Sequence, residues 1–313
     1  MISWILILII TFTRFTTCQN GYGFKSPPMG WNPYNAFSFT FDETIIRKQA
    51  DIIATEGYLD VGYRYINLDD SWQAPNRTAN GTLTYNTDKF PSGIKALAEY
   101  IHGKGLLFGI YSDAGTESCG GFPGSLDHEE KDAKTFVEWG VDYLKYDNCY
   151  NKKRPEQERY QKMGKALKNA TKGTNKTIFY NICEWDKLIL GYGDLMSEID
   201  SQVRLTQYGR PGGWNDPDML AVGFDVIPPI EQITHYAFWA ALKAPLILGC
   251  DQDPLGLSIC QVYYKTYNET SFDIWTGPLI DGYVAILFNR GIDPINIKLD
   301  FQKHCYLTDE IKV

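Results

Sequence analysis

Val141-Asp142-Tyr143-Leu144-Lys145-Tyr146-Asp147-Asn148-Cys149 is a mostly apolar, β-favouring run that delivers a carboxylate, Asp147, with Lys145 two residues before it. A carboxylate at the end of a strand in an α/β protein stands where barrel enzymes carry their chemistry. Moving outward, Asp69-Asp70 follows a second such run, Tyr63-Arg64-Tyr65-Ile66-Asn67-Leu68. Cys183-Glu184-Trp185 and Trp214-Asn215-Asp216-Pro217-Asp218 repeat the pattern. Acids set beside aromatics at successive strand ends suit a neutral, polyhydroxylated ligand.

Between these points strand-like and helix-like segments alternate. Helical spacing runs over residues 42–56, 94–102, 128–139, 155–169 and 230–242, with Asp127 as the expected cap of the third. Strands are expected at 65–68, 106–111, 143–146, 177–182 and 245–249. Apolar strands alternating with helices imply a parallel sheet covered on both faces, and this number of repeats predicts a (β/α)8 TIM barrel. From about Phe272 the helices stop. Residues 272–275, 283–288 and 295–299 read as short antiparallel strands, enough for part of a β-domain. The predicted division is a signal peptide over 1–18, the barrel over 19–270 and a partial antiparallel β-domain over 271–313.

The chain has 313 residues and a net charge of -8, which argues against a nucleic-acid partner. Aliphatic Ile5 to Ile10, followed by polar residues up to Cys18, reads as a secretory leader, since the run falls short of the roughly 20 residues that span a membrane. Five Asn-x-Ser/Thr sequons, at Asn76, Asn80, Asn169, Asn175 and Asn268, predict glycosylation in a secreted or lysosomal protein. Some of the six cysteines beyond residue 18 are then expected to pair. The four histidines have no ligand spacing, so no metal and no cofactor is expected.

Six motifs, taken in order, resemble those of the eukaryotic α-galactosidases (melibiases) of glycoside hydrolase family 27. They are Pro28-Met29-Gly30-Trp31-Asn32, Asn67-Leu68-Asp69-Asp70-Ser71-Trp72, Gly109-Ile110-Tyr111-Ser112-Asp113-Ala114-Gly115, Pro123-Gly124-Ser125-Leu126-Asp127-His128-Glu129, residues 142–149 and Gly212-Gly213-Trp214-Asn215-Asp216-Pro217-Asp218-Met219-Leu220. The resemblance implies a TIM barrel with a C-terminal β-domain, and hydrolysis of terminal α-galactosides with retention. It makes Asp147 the nucleophile, a role the chemistry fits, because a retaining glycosidase needs one ionised carboxylate at the anomeric carbon and a second carboxyl about 5 Å away. By the same resemblance Asp69 and Asp70 grip sugar hydroxyls and Trp31 backs the sugar's apolar face. Tyr111, Lys145 and Asp218 are further contacts, and Cys119 pairs with Cys149. Lys145 is also expected to hold Asp147 charged. Glu184 fills the space an acetamido group would need, which favours galactosidase over α-N-acetylgalactosaminidase. The partner implied is an α-galactoside carbohydrate, with a homodimer possible.

Two stretches depart from the family. Only about 30 residues separate Glu184 from Trp214, too few for helix 5, strand 6 and helix 6, and the family's acid/base motif is missing there. Asp194 is the weak remaining candidate for proton donor. After Asp251, helix 8 is missing too. The family's disulfide between the loop after strand 1 and the Ser71 position is also gone, both cysteines having been replaced. The chain is thus either an incomplete version of a normal enzyme or a variant that keeps a galactose grip without turnover.

Overall fold

The computed structural model describes residues 6–11, 24, 26–183, 195–210, 212–224, 227–250, 272–278 and 282–289. In chain order the elements begin with strand β1 (Leu6–Thr11), β2 (Met29–Trp31), the short helix α1 (Tyr34–Phe37) and α2 (Glu43–Thr55). Then come β3 (Tyr65–Asn67), α3 (Ile94–Gly103), β4 (Leu107–Asp113), α4 (Glu129–Trp139), β5 (Tyr143–Asp147), α5 (Glu156–Ala170) and β6 (Phe179–Ile182). The remainder is α6 (Leu195–Gln202), a 3-10 turn (Thr206–Tyr208), α7 (Pro229–Leu242), β7 (Leu246–Leu248), β8 (Phe272–Pro278) and β9 (Gly282–Asn289).

Six strands form one parallel, curled sheet in the order β6-β5-β4-β3-β2-β7. Leu220 adds a single parallel bridge to Leu248 beyond β7. The eight-stranded closure expected from the sequence is therefore not what the described residues form: the sheet is a half-barrel of six strands. Its gap falls between β6 and the segment 214–220, where strand 6 was expected to be lost. Side chains cross that gap. Phe179 stacks on Trp214 with ring centroids 6.3 Å apart, and Asn181 Nδ2 donates to Asp216 Oδ2. Residues 251–271, where helix 8 was found wanting, and the expected strand at 295–299 lie outside the described residues.

The alternation of strand side chains builds the two sides of the sheet. Leu144 and Tyr146 point outward into the main core with Ile66, Phe108, Ile110, Ile46, Leu97 and Phe136. Tyr143 points inward and, with Tyr65 and Phe179, floors the half-barrel; Phe24, Leu107 and Trp214 pack around them. Two residues on is Lys145, and two further is Asp147 at the mouth. Helix starts follow local chemistry. Asp42 caps α2 by accepting from Ile45 N at 3.0 Å. Asp127 does not cap α4. Its φ is 65°, His128 takes the cap position, and the Asp127 carboxylate instead meets Arg154 at 2.8 Å.

A second sheet, of three antiparallel strands, has the order β1-β9-β8. β8 and β9 are the first two strands expected after Phe272. β1 lies inside the stretch read as a leader.

Candidate active site

Four strands deliver the predicted residues to one end of the sheet. In register, Tyr111 on β4 stands opposite Lys145 on β5, and Asp113 opposite Asp147. Lys145 in turn pairs with Asn181 on β6. Gly109 leaves the room that this layer needs, since a Cβ there would lie 1.8 Å from Asn67 Oδ1.

Asp147 is buried. Its Oδ2 accepts from the Tyr111 hydroxyl at 2.9 Å, and its Oδ1 accepts from Asn148 N at 2.9 Å. Burial raises its carboxyl above the ordinary range, against the opposing pull of Lys145 and the two hydrogen bonds. Lys145 acts on it through space. The direct partner of its ammonium is Asp69, at 2.8 Å, while its charge still favours the ionised form of Asp147. Burial alone would lower the Lys145 pKa, yet the surrounding negative charge, Asp69 foremost, carries it well above the usual lysine range.

Asp69 also accepts from Asn32 Nδ2 at 2.7 Å and from Asp70 N at 2.8 Å. Asp70 accepts from Ser71 N at 2.8 Å and Gly120 N at 2.7 Å, and burial raises its carboxyl. Trp31 is fully buried beside them, its indole N–H donating to Cys250 O at 2.7 Å. Cys119 and Cys149 form the expected disulfide, with the Cys119 sulfur 3.3 Å from Asp147 Oδ2. A cavity of about 350 Å3 opens among Asn67, Tyr143, Lys145, Asn181, Asp216 and Asp218. Asp218 is exposed and has φ 77°; its backbone carbonyl accepts from Trp239 Nε1 at 2.7 Å. Cys183, an unpaired thiol, also lines the cavity. Asp69, Asp70, Tyr111, Lys145 and Asp147 are thus linked by direct contacts or shared register. Glu184 and Asp194 lie outside the described residues.

Sequence reasoning passed over Asp113. It is fully buried and accepts from Gly115 N at 2.5 Å and Cys149 N at 3.0 Å. Burial pushes its carboxyl up to about 7, despite those donors. Acidic oxygens of Asp113 and Asp147 and the sulfurs of Cys119 and Cys149 gather within 4.8 Å. Both sulfurs are spent on the disulfide, so the group lacks the thiolates a soft metal would need. The available signal was register: Asp113 ends its strand beside Asp147.

On α7, His235 sets an acid limit on stability. Its ring lies 4.0 Å from that of Trp239, neither ring nitrogen has a hydrogen-bond partner among the described residues, and burial lowers its pKa to about 4. The unfolded chain takes up a proton near the ordinary histidine value of 6.5, whereas the fold refuses it until about 4. Stability from this group is therefore intact above pH 6.5 and is lost as pH falls toward 4, by on the order of 3 kcal/mol. His235→Phe is expected to flatten that acid limb. Urea midpoints measured from pH 7 to pH 4 that fall equally in both proteins would refute this.

Similarity to known proteins agrees with this geometry. The profile of the family described as "Alpha galactosidase A" matches residues 26–199 and 193–259. The chain is similar to α-galactosidase 2 of Arabidopsis thaliana, with 42% identity over 314 residues, covering 87% of this chain and 77% of that protein. The crystal structure of α-galactosidase I from Mortierella vinacea superposes with a TM-score of 0.78 at 34% identity, over 87% of this chain and 83% of that one. The Saccharomyces cerevisiae α-galactosidase with raffinose gives 0.74 at 30% identity, over 85% and 74%. With its acids gathered at one end of a curled parallel sheet and such relatives across most of its length, this chain belongs to the α-galactosidase (melibiase) family, glycoside hydrolase family 27.

Proposed function

We propose that this protein releases terminal α-linked galactose by double displacement, with Asp147 as nucleophile. The carboxylate attacks the anomeric carbon as the bond to the leaving oxygen breaks. A second carboxyl gives that oxygen a proton, and water then cleaves the glycosyl ester. Asp69, Asp70 and Asp218 hold sugar hydroxyls, Trp31 backs the ring, and Tyr111 and Lys145 orient and charge the acids. The observation that carries this reading is the chain of contacts at the sheet end, Asp147 to Tyr111 and Lys145 to Asp69. Glu184 favours galactose over its 2-acetamido relative.

The half-barrel supports a second reading, a galactose grip without turnover, because the family's acid/base motif belongs to the missing stretch. An aryl α-galactoside with a good leaving group needs little acid help. Steady turnover of both aryl and natural α-galactosides is the result expected of a working enzyme. An aryl burst without turnover of natural substrates would mark a crippled one, and galactose binding with no burst would leave only the grip.

We further read the fold as a (β/α)8 barrel lacking elements near strand 6 and helix 8, followed by a shortened antiparallel β-domain; the parallel strand order and the β8–β9 pairing support this. The disulfide and the exposed sequon residues Asn76, Asn80, Asn169 and Asn175 support a secreted or lysosomal glycoprotein with a cleaved leader. Among the described residues no helix is long and apolar enough to cross a membrane. The preparation assayed above, recovered from a secreting eukaryotic host, should lose mass on deglycosylation and start beyond residue 18; a bare chain with an intact start would overturn this.

A further inference from the structure

Lys89 lies in neither the nucleophile strand nor the sugar grip, yet its ammonium joins two segments that border the site. It donates to Phe39 O at 2.5 Å, to Ser71 Oγ at 2.9 Å and to Ser71 O at 3.3 Å. It also sits 5.3 Å from the centroid of the Phe41 ring. Its own backbone is fixed, accepting from Glu43 N at 2.9 Å and donating to Asn86 Oδ1 at 3.2 Å.

Both segments it ties are conformationally demanding. Ser71 has φ 81° and Ser38, next to Phe39, has φ 48°, left-handed values that a non-glycine residue holds only when its surroundings fix it. Both also frame Asp70. Ser71 N donates to Asp70 Oδ1, while Gly120 N donates to Asp70 Oδ2. A Cβ on Gly120 would lie 3.2 Å from Phe39 Cζ and 2.9 Å from Asp70 Oδ2, so the Phe39 loop and the Asp70 carboxylate both abut the same glycine.

We infer that Lys89 is a positioning residue, an ammonium bridge that clamps the loop around Phe39 to the Asp70–Ser71 corner and so sets the affinity for substrate. No covalent link joins these segments, although Ser71 Oγ and Phe39 O are only 3.4 Å apart. This inference rests on the reading of Asp70 as a sugar-gripping residue.

Three variants of the full chain, assayed on an aryl α-galactoside, test it. Lys89→Met is expected to raise KM about tenfold while kcat stays within about threefold, the signature of lost ground-state binding. In the Lys89→Met background, Phe39→Cys with Ser71→Cys supplies a disulfide across the same seam. Once its formation is confirmed by mass, KM should return to within about threefold of the parent protein. Reductant should undo that rescue, with the parent protein treated alike as baseline. Asp70→Asn separates the two layers of the argument. If it raises KM while Lys89→Met does not, the clamp is wrong and the grip stands. If it leaves KM unchanged, the grip fails and the clamp with it. A crosslinked variant that keeps the high KM also overturns the inference. Should Lys89→Met fail to fold, the crosslinked variant decides alone.

Discussion

Asp147→Asn should leave a folded protein whose turnover of any α-galactoside is lower by about 10^4-fold or more, because the covalent step has no other carboxylate in its place. The amide retains the shape and can still accept from Tyr111, so substrate affinity should change little. Removal of the side chain altogether gives a sharper test. In Asp147→Ala, added azide can occupy the vacated space and attack the anomeric carbon from the face opposite the leaving group. With an aryl α-galactoside as donor the product expected is the β-galactosyl azide. Retention of rate in Asp147→Asn, or an α-configured azide, would remove Asp147 from the nucleophile role.

The second large effect concerns stability. Arg77 meets Asp132 in a two-pronged contact, with N–O distances of 2.7 and 2.6 Å, and also donates to Gly124 O at 2.6 Å and Gly81 O at 3.0 Å. Asp132 is fully buried, and its carboxyl is raised by burial even with the guanidinium against it. Arg77→Met would strand that acid along with the Gly124 carbonyl. The expected cost is about 3–5 kcal/mol, typical of breaking a buried pair from one side. Gly124 belongs to the loop that also carries Cys119, since Gly124 N donates to Thr116 O at 3.0 Å. The damage should therefore show first as faster proteolysis near that loop. A denaturation midpoint within error of the parent protein would contradict the account. Replacing both residues with apolar ones of similar volume should recover much of the loss.

Much of this was legible in the chain because strand periodicity and motif residues coincide. Tyr143, Lys145 and Asp147 alternate with Leu144 and Tyr146, so the sequence alone separates the inner column from the helix-facing one, and the structure keeps that division. The start of α3 after Gly93 follows from an equally local rule, whereas the disulfide rested on the family resemblance and the cap at Asp42 went unread. Asp127 misled because Asp before an apolar-periodic segment is a good cap only in extended backbone; a turn with φ 65° sends its carboxylate to Arg154 instead. The primary partner of Lys145 was hidden for another reason. Asp69 is 76 positions away, and only the curl of the sheet sets the two face to face. Lys89 is invisible for the same cause: nothing near it in the chain marks a residue whose partners are two carbonyls and a hydroxyl on two other loops.

The seam between β6 and the segment 214–220 carries a consequence for how the protein breathes. Within the six-stranded sheet, neighbouring strands share peptide hydrogen bonds, which part only when a whole ladder gives way. At this seam the described joining contacts are a ring stack and a side-chain amide, and each can let go singly without disturbing a ladder. Among the described contacts, opening there costs least, so the wall should part along that line below the temperature at which the remaining strands separate. The slit would lie beside Asn181 and Lys145, a sideways door into the cavity they line.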